Sequence, residues 1–117
     1  GHLNNAIYLT YFETSRIGYF EELGWSIENN EFPAAVVANF HVDFLRPVLP
    51  TDKIFIWLRT SKLGNKSLNI EYQIRSVDDQ TLFSTASSVL VCVDKVTGNT
   101  VQVPQEGREL IENFENK

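Results

Sequence analysis

The chain has 117 residues, 43% of them hydrophobic, and a formal net charge of −5. This length fits one globular domain with a single core. The ten Lys and Arg residues form no basic stripe of the kind that binding to nucleic-acid phosphates requires, and the apolar runs are too short to span a membrane. We therefore expect a single domain that binds neither nucleic acid nor membranes and, by default, is cytoplasmic.

The first element in chain order is a helix over Asn5–Leu23, a stretch without proline. Large apolar residues recur through it at helical spacing: Tyr8, Phe12, Tyr19 and Leu23. Asn4 or Asn5 suits the N-cap, because its side-chain oxygen can accept a free first-turn N–H. Gly24 suits the position that ends a helix. The predicted helix is roughly 30 Å long, enough to cross a small domain.

Four segments that read as strands follow: Ala38–Phe44, Ile54–Leu63, Leu68–Ile74 and Thr81–Asp94. Apolar residues take every even position of the first segment, which predicts a strand with one buried face. His41 and Asp43 then lie on the face that turns away from the helix. The second segment is more apolar, so we expect it to be covered on both faces. After a turn at 97–99, Arg108–Phe114 is predicted to form a short terminal helix.

The turns that join the last three strands are short, at 64–66 and 78–80. Such turns favour antiparallel neighbours, because parallel strands need crossovers of about a dozen residues or more. The sheet must bury one face, and the long helix is the only large element able to cover it. The residues alone therefore predict an α+β domain over 1–117, with a helix wrapped by an antiparallel sheet.

The N-terminal run Gly1-His2-Leu3-Asn4-Asn5, with Tyr8 and then Tyr11-Phe12-Glu13, carries a family resemblance. It is similar to the helix start of the 4-hydroxybenzoyl-CoA thioesterase-like family, where Gly-His-x-Asn-Asn-x-x-Tyr leads into Tyr-Phe-Glu. Weaker matches follow in the family's order at 42–47, 62–67 and 91–98. The resemblance implies the hot-dog fold, in which a curved antiparallel sheet wraps a long central helix.

The resemblance also implies a chemistry, the hydrolysis of a thioester between an acyl group and coenzyme A or an acyl carrier protein. It implies no metal and no cofactor, since coenzyme A is part of the substrate. A backbone N–H at the helix start polarises the thioester carbonyl, and Asn5 holds that position here, with Asn4 adjacent. First-turn N–H groups suit this role because they lack intrahelical acceptors and lie at the positive end of the helix dipole.

In this family the catalytic Asp lies a few residues before the Gly-His pair, which is upstream of Gly1. The family's first strand also has no counterpart in the sequence, and the chain contains no methionine. We therefore expect an N-terminally incomplete hot-dog domain whose catalytic carboxylate lies upstream of Gly1.

Several residues near the motif have two interpretations. His2 can position water or substrate, or order the loop that enters the helix. Asn4 and Asn5 can contact substrate or cap the helix. Glu13 can act as a catalytic base, as a helix glutamate does in some hot-dog thioesterases, or it can be solvated or paired with Arg16 on the helix surface. Tyr8, like the other helix aromatics, can line an acyl pocket or fill the core.

A second group of candidates concerns the coenzyme. Arg46, Lys62 and Lys66 can meet its phosphates or remain solvated. The turn through Gly64 and Ser67 offers backbone N–H groups where glycine permits close approach.

Two further side chains read as structural. Asp43, with His41 beside it, fits a surface carboxylate better than a site residue. Cys92, the only cysteine, sits in an apolar run and fits a buried small hydrophobe rather than a nucleophile.

Three functions stay open at this point. The first is acyl-CoA thioester hydrolysis. The second is hydration or dehydration of an enoyl thioester, which the Asn-Asn run disfavours. The third is acyl-CoA binding without catalysis. We expect at least a homodimer and alternatively a homotetramer, because a sheet of this kind exposes edge strands that need cover.

Overall fold

A computed structural model describes residues 5–25 and 32–116 of the chain. Their elements, in order, are α1 (Asn5–Leu23), β1 (Ala34–Phe44), β2 (Ile54–Leu63), β3 (Ser67–Ser76), β4 (Leu82–Val93) and α2 (Gln105–Glu115). The strands form one antiparallel sheet in the order β1-β4-β3-β2. The α+β prediction is confirmed. No helix among these residues is long and apolar enough to cross a membrane.

Helix α1 has the predicted bounds, and its predicted apolar face is buried: Tyr8, Phe12, Tyr19 and Leu23. Phe12 is fully buried at the centre of this face. Its ring centroid lies 5.3 Å from that of Tyr72 on β3 and 5.8 Å from that of Phe40 on β1. Gly24 ends the helix with a φ of 88°, a left-handed conformation that glycine adopts without steric cost. The helix aromatics therefore fill the core.

The inner face of the sheet is the face that packs against α1. Strand β3 alternates between buried and half-buried residues over its whole length. The buried set is Leu68, Ile70, Tyr72, Ile74 and Ser76. Strand β4 has a matching inner set that includes Ser84, Ala86, Ser88 and Leu90. The period-two pattern of the sequence thus places the core correctly at the two central strands.

The two edge strands depart from the prediction. β1 begins at Ala34 rather than Ala38, because a bulge between Val37 and Asn39 breaks the period-two alternation that marks the strand in the sequence. The expectation that β2 is covered on both faces is wrong. β2 lies at an edge, and its outer face carries Trp57, 39% exposed, and the exposed Arg59.

Helix α2 is longer than the predicted Arg108–Phe114 segment and closes one end of the domain. Gly107 lies in its first turn, buried against the indole of Trp25. A Cβ at Gly107 would lie 2.7 Å from a ring carbon of Trp25, so glycine is required for this contact. At the other end of α2, the Glu115 carboxylate accepts hydrogen bonds from the Tyr19 hydroxyl (2.5 Å) and the Thr60 N–H (2.7 Å). These contacts fix α1, β2 and α2 to one another.

Candidate active site

The start of α1 is where the family resemblance predicts the backbone donors of the site. Helix α1 is described from Asn5 onward, and the backbone N–H groups of a helix's first turn lie at the positive end of its dipole. The side chain of Asn5, and all of His2 and Asn4, lie outside the described residues. Their predicted roles, including capping, stay predictions.

The β1–β2 loop packs against this end of α1. The Tyr8 hydroxyl accepts a hydrogen bond from the Val48 N–H at 3.2 Å, and the Tyr8 ring meets Phe44 edge-on with centroids 5.0 Å apart. Tyr8 is 3% exposed, so in this chain it is a core residue that fastens the loop. Arg46 lies on the same loop with an exposed side chain, and its N–H donates to the Phe83 carbonyl at 3.1 Å.

The second candidate region is the turn that joins β2 and β3. Some of its backbone groups are already engaged: the Gly64 N–H donates to the Ser67 carbonyl at 2.8 Å. The Gly64 carbonyl accepts from the Arg108 guanidinium at 2.7 Å. A Cβ at Gly64 would lie 2.9 Å from the Ser67 hydroxyl, which explains the glycine. Lys62 and Lys66 extend exposed side chains from this turn, as a phosphate contact requires.

These two regions lie at opposite ends of the domain. Phe12 packs on Tyr72, and from there α1 runs roughly 10 Å back to Asn5 while β3 runs roughly 16 Å the other way to Ser67. The relative direction of α1 and β3 follows from Tyr19, which lies further along α1. The Tyr19 hydroxyl is 2.7 Å from that of Thr60, and Thr60 pairs with Ile70 on β3. The C-terminal end of α1 therefore lies toward Ser67, and the N-terminal end lies away from it. A separation of roughly 25 Å results. One protomer therefore does not bring the helix start and the Lys62–Ser67 turn together.

A groove of about 590 Å³ lies between α1 and the start of β1. Glu13 and Arg16 line it from the helix. Both residues belong to the described part of the chain, and no ion pair joins them. Arg16 donates instead to the Tyr72 hydroxyl at 3.3 Å and Glu13 is exposed, so of the two structural alternatives for Glu13 the solvated one holds. The Tyr72 hydroxyl in turn shares a buried hydrogen bond of 2.7 Å with Ser88.

The remaining candidates lie elsewhere. His41 and Asp43 project from the outer face of the sheet, 3.2 Å apart and well exposed, as the alternation predicts. Cys92 is fully buried, and burial raises the pKa of its thiol to about 11, which suits a core residue and not a nucleophile. No group of three His, Cys, Asp or Glu residues in 5–25 and 32–116 could hold a metal ion.

Sequence reasoning missed the polar contacts between distant elements. In the sequence, Arg108, Ser88, Thr60 and Glu115 read as ordinary surface or strand residues. Tyr19 reads as an apolar core residue with no indication of its polar partners. The serines on the inner face of β4 were the available signal, since a buried hydroxyl requires a partner.

Comparisons with known proteins agree with this architecture. The model of the thioesterase-like superfamily matches residues 1–111. The chain is 35% identical over 111 residues to the uncharacterized protein YsmA of Bacillus subtilis (strain 168), covering 95% of this chain and 74% of that protein. It is 28% identical over 114 residues to the long-chain acyl-CoA thioesterase FadM of Escherichia coli (strain K12), and the alignment covers 95% of this chain and 85% of FadM.

Among solved structures, a thioesterase from Thermus thermophilus, crystallised with coenzyme A and Zn, superposes with a TM-score of 0.85. It is 35% identical in sequence, and the alignment covers 100% of this chain and 84% of that one. The predicted hot-dog fold is thereby confirmed.

Proposed function

Because this chain belongs to the thioesterase-like superfamily, we propose that it hydrolyses an acyl-CoA thioester to the free acid and coenzyme A. The observation that carries the proposal is the start of α1 at Asn5, in a chain whose sequence places the Gly-His-x-Asn-Asn motif there. The described part of α1 starts at the last residue of the motif, which supports a role for the first-turn backbone N–H groups in polarising the thioester.

The Asn5 N–H donates to the thioester carbonyl oxygen in this mechanism. A nucleophilic oxygen adds to the carbonyl carbon, and the negative charge that develops on the carbonyl oxygen is stabilised by the helix terminus. The intermediate then collapses with cleavage of the carbon–sulfur bond, and the coenzyme A thiolate leaves and takes up a proton. Hydrolysis delivers the oxygen of water to the acid product.

The carboxylate that activates water or attacks the thioester is expected upstream of Gly1, where the resemblance places it. Glu13 is the described alternative. It lies eight residues beyond Asn5, roughly 12 Å along the helix axis, which is beyond hydrogen-bond reach of a carbonyl bound at the same helix terminus. Within one protomer, Glu13 therefore fits the wall of the groove better than the position of the base.

We also propose a homodimer or homotetramer in which two protomers complete the site. Within the described residues β1 pairs only with β4, and its Val36 and Val37 are 44% and 42% exposed. The coenzyme contacts proposed for Lys62 and Lys66 need either a partner's turn or a long extended coenzyme, whereas Arg46 lies on the loop beside the start of α1. Sedimentation that shows only monomer at micromolar concentration would contradict this part of the proposal. The cytoplasmic location stays a prediction.

The direct test is release of coenzyme A from an acyl-CoA panel, followed with a thiol reagent. The assay should be free of background from the protein, because its one cysteine is buried and has a raised pKa. The chain should be assayed as given and with the natural residues upstream of Gly1 attached, first intact and then with the upstream Asp changed to Ala. We expect the extended form to release thiol and its Asp variant to lose that activity.

Each other result identifies an alternative. Loss of enoyl absorbance without thiol release would indicate a hydratase or dehydratase. Saturable acyl-CoA binding with no turnover in either form would indicate a non-catalytic binding protein. Full activity in the Asp variant would refute the assignment of the base while leaving the hydrolysis itself intact.

A further inference from the structure

The groove between α1 and β1 has an apolar lining interrupted by charged side chains. Its apolar residues are Ile17, Phe20, Trp25, Pro33, Ala34, Ala35 and Val36. Ile17 is 42% exposed although it is a large hydrophobic residue. Leu9, 49% exposed, and Glu13 precede it at intervals of four residues, so one stripe of α1 leads from the first turns of the helix to the groove. This path suits an extended apolar chain.

Arg16 is the exceptional group in this groove. Its side chain is half-buried, and the hydrogen bond it makes among the described residues is a 3.3 Å contact with the Tyr72 hydroxyl. That hydroxyl is held in place by its 2.7 Å bond to Ser88 and by the rings of Phe12 and Phe40. A guanidinium has five N–H donors in a fixed planar fork. Arg16 is thus anchored on one side with donors left over for a ligand in the groove.

The charges around the groove decide which ligand fits. Two carboxylates (Glu13 and Glu21) and two cations (Arg16 and Lys95) line it, so its formal charge is balanced and an anionic ligand gains little. A purely hydrocarbon ligand would displace water from the Arg16 donors without replacing the lost hydrogen bonds. A hydroxyl satisfies both neighbours, because it accepts from Arg16 and donates to Glu13.

The length of the ligand follows from the helix. Arg16 is eleven residues beyond Asn5, roughly 16 Å along the axis, and helical side chains lean back toward the N-terminus, which shortens the span to roughly 10–12 Å. A single aromatic ring is too short to bridge this span from a carbonyl at Asn5. An extended aliphatic chain of about eight to ten carbons reaches it.

We propose that the groove takes the distal part of a medium-length aliphatic acyl chain that carries a hydroxyl group, and that Arg16 determines this specificity. The proposal rests on the proposed function, since it places the thioester carbonyl at the Asn5 N–H. It specifies the substrate class and identifies Arg16 as the residue that recognises the distal end of the acyl group.

The kinetic test compares acyl groups that differ in one feature. Decanoyl-CoA, decanedioyl-CoA and hydroxydecanoyl-CoA with the hydroxyl on carbon 8, 9 or 10 would be assayed by thiol release. We expect kcat/KM for the best hydroxyl isomer to exceed that for decanoyl-CoA about tenfold, and decanedioyl-CoA to show no such advantage. Arg16→Met should reduce the hydroxyl preference to near one. Arg16→Lys, which keeps the charge but not the fork, should give an intermediate value.

The ratio of the kcat/KM values for two substrates, measured on one protein sample, does not depend on the fraction of that sample that is folded. A preference for decanoyl-CoA in the native protein would overturn the proposal. So would a hydroxyl preference that Arg16→Met leaves unchanged. A preference for decanedioyl-CoA that depends on Arg16 would reassign the groove to anionic acyl groups and overturn the proposed ligand.

A binding measurement separates this inference from the proposed function. Trp25 lines the groove, and the sequence has one other tryptophan, Trp57, on the outer face of the sheet. In a Trp57→Phe background, Trp25 fluorescence would report binding of 10-hydroxydecanoate and decanoate. If no acyl-CoA is hydrolysed, the proposed function fails. Tighter hydroxydecanoate binding that Arg16→Met abolishes would still support the groove, and equal binding of the two acids would refute it.

Discussion

The two ends of α1 differ in how closely the rest of the chain packs against them. At the C-terminal end, Tyr19 bonds Thr60 and Glu115, and Trp25 is packed against Gly107. At the N-terminal end, the Tyr8 hydroxyl fastens the β1–β2 loop. Large apolar residues stay exposed there or on the adjoining loop: Leu9, Phe44, Leu45 and Leu49. The C-terminal end is fixed by these polar and aromatic contacts, whereas the N-terminal end leaves large apolar side chains exposed.

The largest effect should come from removing the proposed oxyanion donor at the N-terminal end. Asn5→Pro deletes one backbone N–H at the first helical position, where proline fits the helix. We expect kcat for acyl-CoA hydrolysis to fall about 100- to 1000-fold, with little change in the unfolding midpoint.

Asn5→Ala is the matched control, since it removes the side chain and keeps the N–H. It should retain much more activity than Asn5→Pro. Equal activity in the two variants would show that the Asn5 N–H is not the donor.

The C-terminal end should respond in stability. Gly107→Ala places a Cβ against the buried Trp25 ring, so we expect a loss of about 1–2 kcal/mol in the free energy of unfolding. Gly18→Ala, on α1 with nothing within 4 Å of the new Cβ, should gain about 0.5–1 kcal/mol from helix propensity. Urea titrations would measure both. A Gly107→Ala protein as stable as the parent would show that the contact with Trp25 does not require glycine.

The two buried tyrosines of α1 provide a direct comparison of the two ends. Tyr19→Phe leaves Glu115 and Thr60 without a hydroxyl partner, and we expect a cost of about 1–3 kcal/mol. Tyr8→Phe removes an acceptor from the Val48 N–H, with an expected cost of about 0.5–1.5 kcal/mol. Chemical denaturation of both variants tests the order. A larger cost for Tyr8→Phe would reverse the comparison between the two ends.

A last prediction concerns the dependence of stability on alkaline pH. Burial, and secondarily the hydrogen bond to Glu115, raise the pKa of Tyr19 far above its usual value. Only the unfolded chain then ionises this group near pH 10, so the stability it provides is present below about pH 10 and lost as pH rises further. The stability difference between the parent and Tyr19→Phe should shrink by about 1.4 kcal/mol between pH 9 and pH 11. A constant difference would contradict the raised pKa.

Much of the fold was predictable because its signals are local. The helix bounds and the buried face of β3 follow from periodicities of 3.6 and 2 residues, which depend on side chains near each other in the chain. The bulge in β1 and the exposure of β2 were not predictable. Both depend on which strands become neighbours, and strand order is set by contacts between distant segments.

The site divides in the same way. By itself the sequence determined the motif and therefore the family, and it predicts the oxyanion donor at Asn5. Only the tertiary structure decided that the Lys62–Ser67 turn lies at the opposite end of α1. It alone also decided that Arg16 contacts Tyr72 rather than Glu13. The physical reason is that a helix start is specified by adjacent residues, whereas the groove and its arginine depend on how α1 is placed across the sheet.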